Sequence, residues 1–254
     1  VGAPLNIYLN DIPQTGAETI AWNSQFDGFD SHDLWLGSAM SDNVVTLKNN
    51  LDGANANRNI SLIDNPNSNA DHAVIDGDIT GVATLTINGN NTAGELLLPG
   101  NVTLTNLFQV NNGAVVQVDG ACTIGGELRV NSTSRLTVGD TAAVTAGAIA
   151  VSGDSNFTIN KGGSVTVTGS SVYNFSNDSM SVINGTLSIS AATNVNVRDK
   201  AHMTIGQNSV VSAMRYFVLL NTARLSGSGT VNLSGMDASR KVDIFAGTTL
   251  APGQ

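Results

Sequence analysis

The densest run of ligand-type side chains is Phe26-Asp27-Gly28-Phe29-Asp30-Ser31-His32-Asp33, flanked by Trp22 and Trp35. Carboxylate oxygens are what a hard cation such as calcium requires, and exposed indole rings stack on sugar rings. The aspartates recur at every third residue, not at the alternate positions of an EF-hand loop, so their spacing specifies no metal. The functional reading is a sugar- or protein-binding patch of Trp22, Trp35, Asp27, Asp30 and Asp33, with no metal and no cofactor assigned.

Other chemistry-bearing residues are scattered. His32, His72 and His202 are too far apart in sequence to form a zinc motif. Arg198-Asp199-Lys200, followed by His202, is the densest charge group in the second half and reads as a solvated turn. No serine sits in the G-x-S-x-G setting of a hydrolase nucleophile. Cys122 is the single cysteine, which excludes an intramolecular disulfide and a cysteine-based zinc cage. It is expected to behave as a small buried hydrophobe.

Composition narrows the partners. The 254 residues carry 11 basic and 20 acidic side chains, a net charge of −9, and only 12% are charged, against about 25% in an average soluble domain. Scattered Lys and Arg on an acidic chain argue against nucleic acid as a partner. The longest uninterrupted apolar run, Tyr216 to Leu220, falls far short of the roughly 18 residues a membrane helix needs, so no membrane insertion is expected. Val1-Gly2-Ala3-Pro4 has neither a basic start nor an apolar core, so any secretion signal is expected to have been removed or to lie outside this sequence.

What must position these residues is a repeat. From residue 100 onward, short apolar-x-apolar segments alternate with Gly, Asn, Ser and Asp. Period-2 alternation marks strands, and the residues between mark turns. Every third segment falls at Leu104, Ile124, Val144, Val167, Ile189, Val211 and Leu233, 20 to 23 residues apart. Three short strands per lap is the spacing of a parallel β-helix, in which each strand pairs with its equivalent one lap away. Inward pairs follow, among them Phe108 with Val110, Leu128 with Val130, Phe157 with Ile159 and Val195 with Val197, with Cys122 inward before Ile124.

The residues between inward partners face out and form columns. They are expected to read Thr103, Thr123, Ala143, Thr166, Ser188, Val210, Asn232 on one face and Gln117, Thr137, Thr158, Val182, Thr204, Arg224 on another. The third reads Gln109, Arg129, Ala150, Asn174, Asn196, Val218. A polysaccharide lyase would need clustered carboxylates and a Lys or Arg base on such a face, which these columns lack, so the chain is read as not an enzyme. The Thr-rich columns suggest ice-type ordered-water binding, but Ala143, Val182 and Val210 interrupt them and favour plain strand propensity.

Composition shifts before residue 58: Tyr8, Trp22, Phe26, Phe29 and Trp35 are five of the twelve aromatic residues. Solenoid ends need a cover for their open core and strand edges. Residues 1–58 are therefore expected to be an N-terminal capping segment and 59–254 the parallel β-helix.

Near that end, Ser226-Gly227-Ser228-Gly229-Thr230-Val231 and Ala246-Gly247-Thr248-Thr249-Leu250-Ala251-Pro252-Gly253 resemble phrases of bacterial autotransporter passenger domains and related surface β-helix proteins. The resemblance, with the usual hand of parallel crossovers, implies an all-β, right-handed, three-faced parallel β-helix (solenoid) with an aromatic-rich N-terminal cap. It also implies a secreted or cell-surface adhesin of a diderm bacterium, displayed at the outer membrane through a barrel whose alternating strands are not recognised in this sequence, so that the β-helix of residues 59–254 is expected to be truncated at its C-terminal end. The leading expectation is a non-catalytic structural or adhesive module for a host or neighbouring-cell protein or glycan. The alternatives are a β-helix polysaccharide lyase or hydrolase with a loop-borne site, and a self-assembling extracellular rod.

Overall fold

The computed structural model describes residues 19–21, 33–36, 44–47, 50–62, 72–89, 95–169, 173–190, 194–213, 216–233 and 241–253. The chain enters through β1 (Thr19–Ala21), β2 (Asp33–Leu36) and β3 (Val44–Leu47). The next laps each use one long and one short strand: β4 (Asn50–Leu62) and β5 (His72–Ile75), β6 (Ile79–Asn88) and β7 (Glu95–Leu98), β8 (Val102–Asn111) and β9 (Val115–Val118), β10 (Ala121–Val130) and β11 (Arg135–Val138), β12 (Ala143–Val151) and β13 (Asn156–Ile159). Later laps use three short strands. These are β14 (Ser164–Val167), β15 (Tyr173–Phe175) and β16 (Met180–Ile183), then β17 (Thr186–Ile189), β18 (Asn194–Val197) and β19 (His202–Ile205). They continue with β20 (Val210–Ala213), β21 (Tyr216–Leu219) and β22 (Arg224–Gly227), and end with β23 (Thr230–Leu233), β24 (Lys241–Ile244) and β25 (Thr249–Pro252).

All these pairings are parallel and run lap to lap, forming a 15-stranded and a 10-stranded sheet that enclose one core. The fold is a parallel β-helix. The 15-stranded sheet bends into two walls. Its corner falls at Gly125-Gly126, where the register between β10 and β12 shifts from Ile124↔Ala146 to Glu127↔Ala148. From β14 onward the same bend divides the sheet into separate strands, β14 and β15 both pairing with β12. The 10-stranded sheet, β3 through β25, is the third wall.

Glycine at the corner is a packing requirement. A Cβ on Gly147 would sit 2.6 Å from the Gly125 carbonyl oxygen, and one on Gly169 would sit 2.1 Å from that of Gly147. Between the second and third walls the chain reverses through residues in left-handed backbone, Asn177, Asp199 and Asn221 on successive laps, with φ of 59°, 62° and 60°. Asn and Asp tolerate that conformation because their short side chains bond locally. Asp199 also ties neighbouring laps together: its carboxylate accepts from Asn221 Nδ2 at 2.9 Å and from the Asn177 backbone N–H at 3.3 Å, each 22 residues away.

Alternation along each strand sends every second side chain inward. Leu128, Phe157 and Val195 are wholly buried, with Phe108, Tyr173, Phe175 and Phe217 the bulkiest members of the same core. Cys122 is buried beside Ile124, and burial pushes its thiol up to about 12. Val231 and Leu233 of the last described lap are only partly buried, because no further lap covers them among the described residues. The ladder also begins early: β1 and β2 both pair with β4, and β3 pairs with β5. The boundary expected at residue 58 therefore falls inside β4.

Candidate functional site

Each short strand of the third wall has its second and fourth residues inward and its first and third outward. Register stacks the outward residues into two columns. One runs Glu95, Val115, Arg135, Asn156, Met180, His202, Arg224, and the other runs Leu97, Gln117, Thr137, Thr158, Val182, Thr204, Ser226. At the early end a groove of about 500 Å³ is lined by Val74, Leu97 and Val115 together with Glu95, Gln117, Arg135 and Thr137.

At the later end, four polar side chains meet. His202 and Thr204 project from β19, Arg224 and Ser226 from β22, and His202 is opposite Arg224 while Thr204 is opposite Ser226. His202 Nε2 lies 2.7 Å from Ser226 Oγ and 3.3 Å from Thr204 Oγ1, and the two hydroxyl oxygens are 3.1 Å apart. Burial first, and the neighbouring Arg224 charge second, hold the His202 pKa below its ordinary value, so the ring is neutral at neutral pH. Among the described residues no carboxylate lies within ion-pair distance of Arg224.

A serine hydroxyl against a neutral imidazole is the contact of a nucleophile and its base. The rest of that machinery has no counterpart among the described residues. No carboxylate orients Nδ1, and the strand lies between β19 and β25, so its backbone N–H groups serve the ladder and leave no oxyanion hole. What the arrangement offers is hydrogen bonding, with a guanidinium, two hydroxyls and an imidazole on one flat patch.

The sequence-based candidates fare differently. Trp22, Asp27 and Asp30 lie outside the described residues. Asp33 and Trp35 belong to β2, where their backbones pair with Asn59 and Ser61. The Arg198–Lys200 group is the exposed turn expected of it, with Arg198 Nε 3.9 Å from Asp199 and Lys200 3.7 Å from Asp178. Among the described residues, no group of three or more His, Cys, Asp or Glu side chains could hold a metal ion, and no helix is long and apolar enough to cross a membrane.

The outward columns need correction at three places. On the first wall, Thr145 pairs with Thr123 and Thr166, and Ser212 pairs with Ser188 and Asn232. The column is therefore Thr103, Thr123, Thr145, Thr166, Ser188, Ser212, Asn232, without the interruptions expected at Ala143 and Val210. On the third wall Ser226, not Arg224, follows Thr204. The cause is the same each time: the second inward residue is Ala146, Ala213 or Gly227, too small to register as part of an apolar pair, which displaces the apparent phase by two residues. The His202–Ser226 contact was hidden by that displacement.

Compared with protein-family models, with curated proteins and with solved structures, the chain finds no match in any of the three.

Proposed function

We propose that the chain is a non-catalytic structural or adhesive rod of a bacterial cell surface, which holds its third wall out to a glycan or protein partner. The observation that carries this reading is the groove of about 500 Å³ on that wall. A lining that mixes apolar side chains with hydroxyl, amide and charged groups suits the two-sided character of a sugar ring, whose C–H face needs burial and whose hydroxyls need hydrogen bonds. The autotransporter-like phrases at Ser226–Val231 and Ala246–Gly253 support the extracellular setting.

The test is a titration of the full chain against defined oligosaccharides, read by calorimetry alongside an assay for new reducing ends. The reading expects saturable binding, no product, and weakening by Leu97→Asp. Accumulating product overturns it in favour of the polysaccharide-degrading alternative.

A second reading has its own observation. The uninterrupted first-wall column from Thr103 to Asn232 repeats a hydroxyl or amide at about 4.8 Å, a periodic surface suited to ordered water. Thermal hysteresis in freezing solutions, abolished by Thr145→Lys, supports it, and its absence in the wild-type chain refutes it.

A further inference from the structure

We propose that His202, Thr204, Arg224 and Ser226 form a subsite for an acidic sugar residue, one carrying a carboxylate or a sulfate ester. The inference rests on the reading of the third wall as a glycan-binding face. Four observations carry it.

First, the cluster is rich in donors. A guanidinium has five N–H groups and no acceptor, and that of Arg224 has no carboxylate partner among the described residues. Arg129, Arg198 and Lys200 each have one, whereas Arg224, like Arg135 earlier in the same outward column, has none among the described residues.

Second, the hydroxyls are held by each other and by the imidazole. Three polar atoms within 2.7 to 3.3 Å of one another can share only a few protons. With Nε2 protonated, the imidazole donates to Ser226, Ser226 donates to Thr204, and the Thr204 proton is left for an outside acceptor. With Nε2 as acceptor, Ser226 donates to it and Thr204 again retains a proton it can turn outward.

Third, the side chains are spaced for an oxyanion group. Neighbours across a parallel ladder are about 4.8 Å apart, and residues i and i+2 along a strand are about 6.6 Å apart. The tips of His202, Thr204 and Ser226 close on one another, so an acidic group lies over them on the solvent side, with the planar fork of Arg224 at one corner.

Fourth, the preceding rung is apolar. Met180 precedes His202 and Val182 precedes Thr204 in the same two columns, and Met180 is 48% exposed. A pyranose ring whose charged substituent meets Arg224 lays its C–H face over these two side chains. A free inorganic anion has no use for them, which is why a sugar-borne group is favoured over a bare ion.

The experiment titrates the full chain with four oligosaccharides of equal length: an oligogalacturonate, its methyl ester, a sulfated galactan fragment and a neutral galactan fragment. Wild type is compared with Arg224→Gln, with Ser226→Ala and, as a control for lost charge outside this wall, with Lys161→Gln. A charge-assisted pair predicts that at least one acidic ligand binds about tenfold tighter than its uncharged counterpart. It also predicts that Arg224→Gln erases that preference, that Ser226→Ala reduces it, and that Lys161→Gln preserves it. Response of the carboxylate arm alone, or of the sulfate arm alone, supports the inference and identifies which acid is read. Equal affinity for acid and ester, or a preference that survives Arg224→Gln, overturns the inference and leaves the glycan-binding rod standing. Failure of all four ligands to bind wild type overturns the inference and, with it, the glycan arm of the rod reading. Unchanged far-ultraviolet circular dichroism and urea midpoints confirm that the variants are folded.

Discussion

Two buried serines on adjacent laps, one in a strand of the third wall and one in the turn leading into that wall, should respond to the same substitution with opposite signs. Ser181 is an inward residue of β16, flanked in register by Phe157 and Met203, and its hydroxyl has no hydrogen-bond partner. An unpaired buried hydroxyl costs about 1–3 kcal/mol. Ser181→Ala removes it and leaves a void of about 12 Å³, worth about 0.3 kcal/mol at roughly 24 cal/mol per Å³. The net expectation is a stabilisation of about 1 kcal/mol.

Ser155, in the turn before β13, is equally buried, but its Oγ donates to the Ser152 carbonyl at 2.6 Å, with the Val130 carbonyl a second acceptor at 3.2 Å. The Val130 oxygen also accepts from the Ser152 N–H, so Ser155→Ala costs chiefly the bond to Ser152, about 1–2 kcal/mol. Urea unfolding followed by circular dichroism, with calorimetry for Tm, should therefore separate the two variants by about 2–3 kcal/mol, a shift of about 2–4 °C per kcal/mol for a chain of this size. If Ser181→Ala destabilises as much as Ser155→Ala, the Ser181 hydroxyl is paired and the inward register of β16 is wrong.

Cys122, buried and with its thiol pushed up to about 12, should resist Ellman's reagent at pH 8 and react stoichiometrically in denaturant; rapid native labelling would place it outside the core. Gly147→Ala should destabilise by about 1–3 kcal/mol, although Ala normally improves a strand interior, because the new Cβ meets the Gly125 carbonyl 2.6 Å away; a raised urea midpoint would refute the close approach. Folded His202 titrates below its ordinary 6.5, so from that value down to the depressed one the unfolded chain holds the extra proton. Stability is then complete above the ordinary pKa and declines as pH falls through the window. His202→Gln should flatten that decline in urea midpoints taken from pH 7.5 to 5, and an identical slope in both proteins would rule out the linkage.

The fold was legible because burial on one side of a strand imposes a period of two. Leu128, Phe157 and Val195 all lie where that period puts them. The lateral alignment of laps was less so. Ala146 and Ala213 are wholly buried, inward members of their strands, yet alanine carries too little apolar contrast to mark a face. The corner adds to the difficulty, since it takes Gly125 and Gly126 in β10 but Gly147 alone in β12. The site suffers most from this: His202 and Ser226 are 24 residues apart, and only the ladder register reveals them as neighbours. Trp22, Asp27, Asp30, Asp33 and Trp35 drew attention by their type, and of these five only Asp33 and Trp35 fall in a described strand.

Lap-to-lap stacking makes this molecule a ruler with a fixed graduation. Adding or deleting one complete repeat of about 22 residues changes its span by a single strand spacing, about 4.8 Å, and leaves every side chain facing the way it did. A deletion of one residue inside a strand instead turns the oily side of that rung to solvent and its hydroxyls to the interior. Length can therefore drift in whole graduations during descent while each face keeps its chemistry, and an engineer could move the Arg224 patch nearer to or farther from the groove by choosing how many repeats lie between them.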